Sequence, residues 1–287
     1  MNMKLGMSFA IGDYAYGRWG DNRYQKLKSH GYDCADFNMS NTSGELYTAD
    51  EVLVDSILRR EKLLADAAGI KIHQVHGPWR CPPMDATEQD RAERMEKMTI
   101  SIRAAAMLGC KNWVIHPLMP FGVEDVGSGN EQKTWDINLS FMKELLGVAK
   151  EYGVTVCLEN MPFLGFSIAK PEDILRFVQE MDDPHFKICL DTGHAKAFGL
   201  SIGDEVRRLG REIRTLHVHD SIPGDDLHMI PRMGRVKWED FADALYEIGF
   251  DGVFSIETKL PEGLSDPLFE QACLLLNAIA KDIVKRK

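Results

Sequence analysis

One arrangement recurs eight times along the chain: a short apolar, β-branched run, a loop, and an amphipathic stretch with apolar positions every three or four residues. The apolar runs predict strands over Lys4–Ile11, Tyr32–Asn38, Lys71–His76, Asn112–His116, Thr155–Asn160, Lys187–Asp191, Thr215–His219 and Gly252–Glu257. The periodic stretches predict helices over Ala49–Ala68, Glu88–Leu108, Thr134–Glu151, Pro171–Met181, Ile202–Gly210, Trp238–Ile248 and Pro267–Lys285. Glycines 31, 69, 109, 153 and 249 stand just before the next strand, where a helix end takes a left-handed residue. Strands alternating with helices mean βαβ units and a parallel sheet. Eight units share 287 residues, roughly 36 each, which suits a closed (β/α)8 barrel. A doubly wound open sheet would carry a glycine-rich phosphate loop after its first strand. Ile11-Gly12-Asp13-Tyr14-Ala15-Tyr16-Gly17 has neither the dinucleotide nor the Walker spacing. No linker or low-complexity segment interrupts the pattern. Residues 1–287 therefore read as one α/β domain, a TIM barrel whose functional site lies at the C-terminal ends of its strands.

Composition adds mainly exclusions. With 44% hydrophobic and 27% charged residues, and apolar residues spread throughout, the chain has the mix of a globular protein. No apolar run approaches the ~18 residues of a membrane helix. Met1–Ile11 is short and is followed at once by Asp13, so no signal peptide is expected. The six cysteines form no CxxC pair, and Cys157 and Cys189 fall inside strand runs where buried reduced thiols belong. A cytoplasmic protein without a membrane partner is the expectation. The formal charge of −10 argues against nucleic acid as a partner. Apolar loop residues Phe163, Leu164 and Phe166 leave room for a homo-oligomer.

The strand ends carry the chemistry. The third strand offers His73 and His76, the fourth His116, the fifth Glu159, and the sixth Asp191 and His194. The seventh offers His217, His219 and Asp220, with Asp226 and His228 in the loop beyond it, and the eighth offers Glu257. Each has an ordinary structural reading: a lone histidine as a hydrogen-bonded group, a lone Asp as a helix cap. Six consecutive strands ending this way strain that reading, because converging buried charges need compensation. A divalent cation supplies it, and carboxylates with imidazole suit Mn²⁺, Mg²⁺, Co²⁺ or Zn²⁺. Strand alternation puts Cys157 with Glu159, Cys189 with Asp191, and Thr215 with His217 and His219 on shared faces. If Glu159, Asp191, His217 and Glu257 top neighbouring strands, they make one compact four-ligand set. For His219 a direct role and a hydrogen bond to a ligand are equally open.

Together these pieces resemble the xylose-isomerase-like barrel superfamily, the sugar phosphate isomerase/epimerase group that also contains endonuclease IV. The resemblance is clearest from His76 to Glu257 and rests on LEN at Glu159, CLDTGHA around Asp191, LHVHDS around His217, and IET at Glu257. It implies one divalent cation held by Glu159, Asp191, His217 and Glu257. Endonuclease IV holds three zinc ions, and His76, His116, His194, Asp226 and His228 match its additional ligands. The resemblance thus also admits a second or third zinc, or a substrate-binding role for those five residues. Departures from the nuclease are several: Gly77-Pro78-Trp79-Arg80 after His76, DTGH for DTCH, no Asn-Asp-Ser-Lys run, and Asp226-Leu227-His228 without the arginine of Asp-Arg-His.

The weight of these features falls on a small carbohydrate substrate. The expected enzyme is an isomerase, a ketose epimerase or aldose–ketose isomerase, working by proton transfer next to a carbonyl through a metal-stabilised enediolate. Glu159 and Glu257 are the acid/base pair, one removing the proton and the other returning it. Trp79 and Trp19 are candidates to pack on the sugar, and Arg235 to bind an acidic group. Two other reactions use the same residues: endonuclease IV-like cleavage of abasic DNA on a multi-zinc site, and dehydration of an inosose.

Overall fold

The structure is a computed structural model that describes residues 3–9, 16–80 and 82–285. The predicted end of the first strand at Ala10–Ile11, most of the loop after it, and Cys81 lie outside the described residues. Eight parallel strands make one sheet: β1 (Lys4–Phe9), β2 (Cys34–Asn38), β3 (Lys71–His76), β4 (Asn112–Ile115), β5 (Thr155–Glu159), β6 (Phe186–Asp191), β7 (Ile213–His217) and, after a hairpin, β10 (Val253–Ile256). They run in the order β10-β1-β2-β3-β4-β5-β6-β7. One parallel bridge, Val218 to Ile256, joins the two ends. There Val218 N–H donates to Ser255 O (2.8 Å) and Glu257 N–H to Val218 O (3.0 Å). That closure sets His217 and Glu257 side by side. The chain is a (β/α)8 barrel.

The helices form where local chemistry starts and stops them. In α3 (Glu51–Ala68), Asp50 caps the Leu53 amide and Gly69 ends the helix at φ 65°. In α4 (Glu88–Met107), Thr87 and Asp90 form a capping box. Helices α5 (Glu131–Glu151), α6 (Pro171–Met181), α8 (Ile202–Leu209), α9 (Trp238–Glu247) and α10 (Asp266–Val284) complete the ring with the short α1 (Arg23–Ser29) and α2 (Glu45–Thr48). The main core lies between helices and strands. Trp113, fully buried, donates its Nε1–H to Ser101 Oγ on α4 (2.9 Å). A Cβ at Gly77 would collide with the Trp113 ring, so the His76-Gly77 turn needs its glycine. A smaller apolar cluster of Val114, Cys157 and Cys189 lies apart from it. The two thiols are buried and free, as strand alternation requires.

Three elements depart from the sequence reading. Residues past the seventh strand are not a loop but an antiparallel hairpin, β8 (Asp220–Ile222) with β9 (Asp225–Met229), turning at Pro223–Gly224 with Gly224 at φ 91°. Asp191 to Ala197 includes a one-turn helix, α7 (Thr192–Ala197). Phe166 is buried rather than an exposed loop residue, whereas Leu164 is half exposed. Among the described residues no helix is long and apolar enough to cross a membrane.

Candidate metal and active site

Strand register builds the site. Glu159 pairs with Cys189, and Asp191 with His217, so three chemically active side chains top three adjacent strands. The residues between them in the motifs lock this register. Asn160 Nδ2–H donates to Asp191 O (3.0 Å), and its Oδ1 accepts from Asp191 N–H (2.8 Å). Thr192 Oγ1–H donates to His219 O (2.7 Å). A Cβ at Gly193 would enter the His219 ring, which explains the glycine of Asp-Thr-Gly-His. Asp191 proves to be cap and ligand candidate at once: Oδ1 accepts the His194 amide (2.7 Å), while Oδ2 faces His219 Nε2 (3.0 Å).

Among the described residues four groups of donors result, three of them sharing Glu159, each with its ligand atoms within 4.8 Å of one another. The first is Glu159, Asp191, His217 and Glu257, where His217 Nδ1 lies 2.8 Å from Glu159 Oε1 and 3.1 Å from Glu257 Oε2. A second set shares Glu159 with His76 and His116, whose Nε2 atoms face each other at 3.2 Å. Since His76 Nδ1–H donates to Gly77 O (2.8 Å), its Nε2 presents a lone pair to that point. The third is His194, His219, Asp226 and His228, on α7 and the hairpin. Glu159, Cys189 and His217 make the fourth, the thiol replacing the outer carboxylates. His228 adopts φ 45°, a costly conformation for a non-glycine residue. It is held there by Nδ1–H donation to Glu257 O (2.8 Å) and by stacking on His219 at 4.0 Å.

The electrostatics are those of a cation site. Burial, the largest influence, would raise the Glu159 carboxyl, but the neighbouring histidines His217 and His116 together outweigh it and hold it well below the carboxylate range. Burial drops His116 itself to about 4. His217 itself is driven well above its ordinary value by surrounding anionic groups despite complete burial. Glu159 Oε2 has no hydrogen-bond partner among the described residues. Lone-pair nitrogens and ionised carboxylates converging on common points need a proton or a metal between them. Hard and borderline divalent cations fit this donor set.

One pH effect follows. Burial opposes the charge on His194, yet Asp191, Asp226 and Glu159 together raise it to about 10. A raised histidine contributes stability fully below its unfolded value near 6.5 and loses it as pH climbs through the folded value. Denaturant midpoints of the metal-free protein are therefore expected to fall between pH 7 and 10, and to fall less in His194→Gln. Equal slopes in both proteins would refute the assignment.

Not every sequence candidate reaches the site. His73 lies near the start of β3, at the opposite end of the barrel, in a cavity of about 390 Å³ lined by Lys4, Lys71 and Arg214. Asp220 faces the hairpin instead: it accepts from Ser221 N–H, Arg232 N–H, Val236 N–H and Trp238 Nε1–H, all at 3.0 Å or less. Trp79 meets His116 edge-on at 4.4 Å. Trp19 packs on His30 and Phe269, each at 5.5 Å, and Arg235 is exposed with its amide on Ser221 O. Asn160 and Thr192, which read from the sequence as cap or turn residues, instead lock the register of the strand ends; their place directly after Glu159 and Asp191 is the available signal. Beside the metal set opens a cleft of about 590 Å³, lined by Ser8, Asn38, His228, Glu257, Thr258 and Lys259.

Comparison with known proteins agrees with this architecture. A family model described as xylose isomerase-like TIM barrel matches residues 24–278. An uncharacterised protein of Methanocaldococcus jannaschii is 31% identical over 193 residues, 64% of each chain. D-psicose 3-epimerase of Ruminiclostridium cellulolyticum is 30% identical over 124 residues, 43% of this chain and 41% of that one, so the match spans about two fifths of the epimerase's length. A probable endonuclease 4 of Metamycoplasma arthritidis is 23% identical over 271 residues, 88% of this chain and 91% of the relative. Among solved structures, a D-tagatose 3-epimerase-like protein superposes with a TM-score of 0.76 at 26% identity over 98% of both chains. By fold and by this match over most of its length, the chain belongs to the xylose isomerase-like TIM-barrel family.

Proposed function

We propose that the protein is a divalent-metal-dependent sugar epimerase or isomerase that moves a proton on the carbon next to a carbonyl. The observation that carries this reading is the four-donor set of Glu159, Asp191, His217 and Glu257 beside a cleft of about 590 Å³, a size that suits a single small molecule. The epimerase relatives support the same substrate class. A bound Mn²⁺, Mg²⁺, Co²⁺ or Zn²⁺ would polarise the carbonyl and favour the negative charge that develops on its oxygen. Glu257, with 18% of its side chain exposed and lining the cleft, removes the proton. Glu159, fully buried across His217 from it, delivers a proton to the opposite face for epimerisation, or to the neighbouring carbon for isomerisation. Glu159 takes up from water in the cleft the proton it delivers, and Glu257 returns its own to water, while His194, its Nδ1–H donated to Asn160 O (2.8 Å), binds a substrate hydroxyl. Trp79, braced on His116, packs on the sugar ring. Ser8, Asn38 and Thr258 bind its hydroxyls, and Trp19 acts only from behind, packed on Phe269 of the cleft wall.

Incubation with a panel of ketoses and Mn²⁺ in deuterated buffer tests this. Solvent deuterium is expected on the carbon beside the carbonyl of at least one sugar. A second reading, phosphodiester cleavage at abasic sites in DNA, is favoured by the His76/His116/Glu159 and His194/His219/Asp226/His228 sets. Cleavage of abasic DNA, with no exchange in any ketose and three metal ions per chain, would replace the first reading with the second.

A further inference from the structure

Beneath His217 the barrel interior holds a buried carboxylate that the reaction above does not use. Asp36, in the middle of β2, is completely buried, and so is Gln74 on the adjacent β3. Asp36 Oδ2 lies 3.0 Å from His217 Nε2 and accepts from Gln74 Nε2–H at 2.9 Å. Gln74 Nε2–H also donates to Leu216 O, the residue before His217, at 3.1 Å. The pair thus sets a carboxylate behind the histidine ring and ties down the backbone beside it. Asp36 Oδ1, Gln74 Oε1 and His217 Nε2 have no directed hydrogen bond among the described residues, so the 3.0 Å approach of Asp36 Oδ2 to Nε2 is a contact of charge and neither side chain serves a larger polar network there. Leaving an ionised group in such a place is costly unless a partner uses its charge.

We infer that Asp36 and Gln74 are positioning residues that make Nδ1 the ligand atom of His217. The inference rests on the metal-dependent reading and extends it to residues below the ligands. A carboxylate at Nε2 keeps the proton on that nitrogen, so the lone pair stays on Nδ1. Nδ1 faces Glu159 Oε1 at 2.8 Å and Glu257 Oε2 at 3.1 Å, the point where the donors converge. The negative charge behind the ring also makes that nitrogen a stronger donor to a cation. Gln74 fixes the angle of the Asp36 carboxylate, and its second hydrogen bond ties that angle to the end of β7. The sequence signal is an acidic residue alternating inward within an otherwise apolar strand, Cys34-Ala35-Asp36-Phe37.

Isothermal titration of Mn²⁺ and Zn²⁺ into metal-free wild type, Asp36→Asn and Gln74→Leu tests the inference, with melting of each metal-free protein alongside. Asp36→Asn is expected to weaken the tightest binding step by about 10- to 100-fold, and Gln74→Leu by roughly 10-fold. Metal-free melting should change far less than the melting of the loaded protein, a split that a purely structural role would not produce. Affinities equal to wild type in both variants would overturn the inference and leave the metal-dependent reading intact. If Asp36→Asn does not fold, the Gln74→Leu affinity decides by itself. No binding of either metal to wild type would overturn the metal-dependent reading, and this inference with it.

Discussion

Glu257→Gln is expected to abolish solvent-proton exchange into the substrate while leaving the barrel folded. The substitution keeps the shape and one oxygen but removes the charge that takes the proton. General-base removal alone costs about 10²–10⁴-fold, and the loss of an ionised ligand beside His217 adds to it. Assays belong in excess Mn²⁺, so that weakened metal binding does not pass for lost chemistry. Glu257 is partly exposed and lies on the cleft, so its loss leaves no large cavity and no orphaned buried charge. Melting within a few degrees of wild type should accompany the lost activity. Exchange that persists within tenfold of wild type would show that the proton is moved by another group.

The second large effect is on stability. Metal-free protein concentrates Glu159, Asp191, His217 and Glu257 with no cation between them, and relieves the repulsion by holding protons on histidines. An ion that binds only the folded chain stabilises it by about 4 kcal/mol at a free concentration 1,000 times its Kd. For a protein of this size that is roughly 7 °C in Tm. Scanning calorimetry with and without Mn²⁺ or Zn²⁺ should show the rise, and EDTA should reverse it. Binding also expels the His217 proton, so the gain should shrink towards pH 5 as protons compete for the same nitrogen. A Tm indifferent to both metals would count against a cation at this site.

The residues at the strand tops were legible because two constraints coincide in the one-dimensional pattern. Alternation along a strand says which side chains share the barrel interior, and a glycine or proline turn says where the strand stops. Glu159 before Asn160, Asp191 before Thr192 and Glu257 before Thr258 satisfy both. His73 obeys the same alternation logic only in part. It stands three residues before the end of its strand, at about 3.3 Å per residue, and that distance carries it to the wrong end of the barrel. Asp220 follows His217 and His219 closely, but the hairpin turns it into an acceptor for three backbone amides of its own loop and the Trp238 indole of α9. The hairpin carried a recognisable signal, Pro223-Gly224 between short runs, that is easily lost beside the stronger barrel repeat.

The sequence by itself determined the eightfold strand–helix repeat, hence the closed barrel, and the kinds of donor available at its C-terminal mouth. These follow from local periodicity and residue chemistry, which need no knowledge of distant contacts. Only the tertiary structure decided which donors share an ion-sized space. The joining of β7 to β10 through Val218 and Ile256 brings His217 to Glu257 across 40 residues of chain, and the hairpin carries Asp226 and His228 over α7 to His194. It alone set Asp36 under His217, a contact between strands 181 residues apart in sequence. Such groupings are properties of closure and register, and no window along the chain contains them.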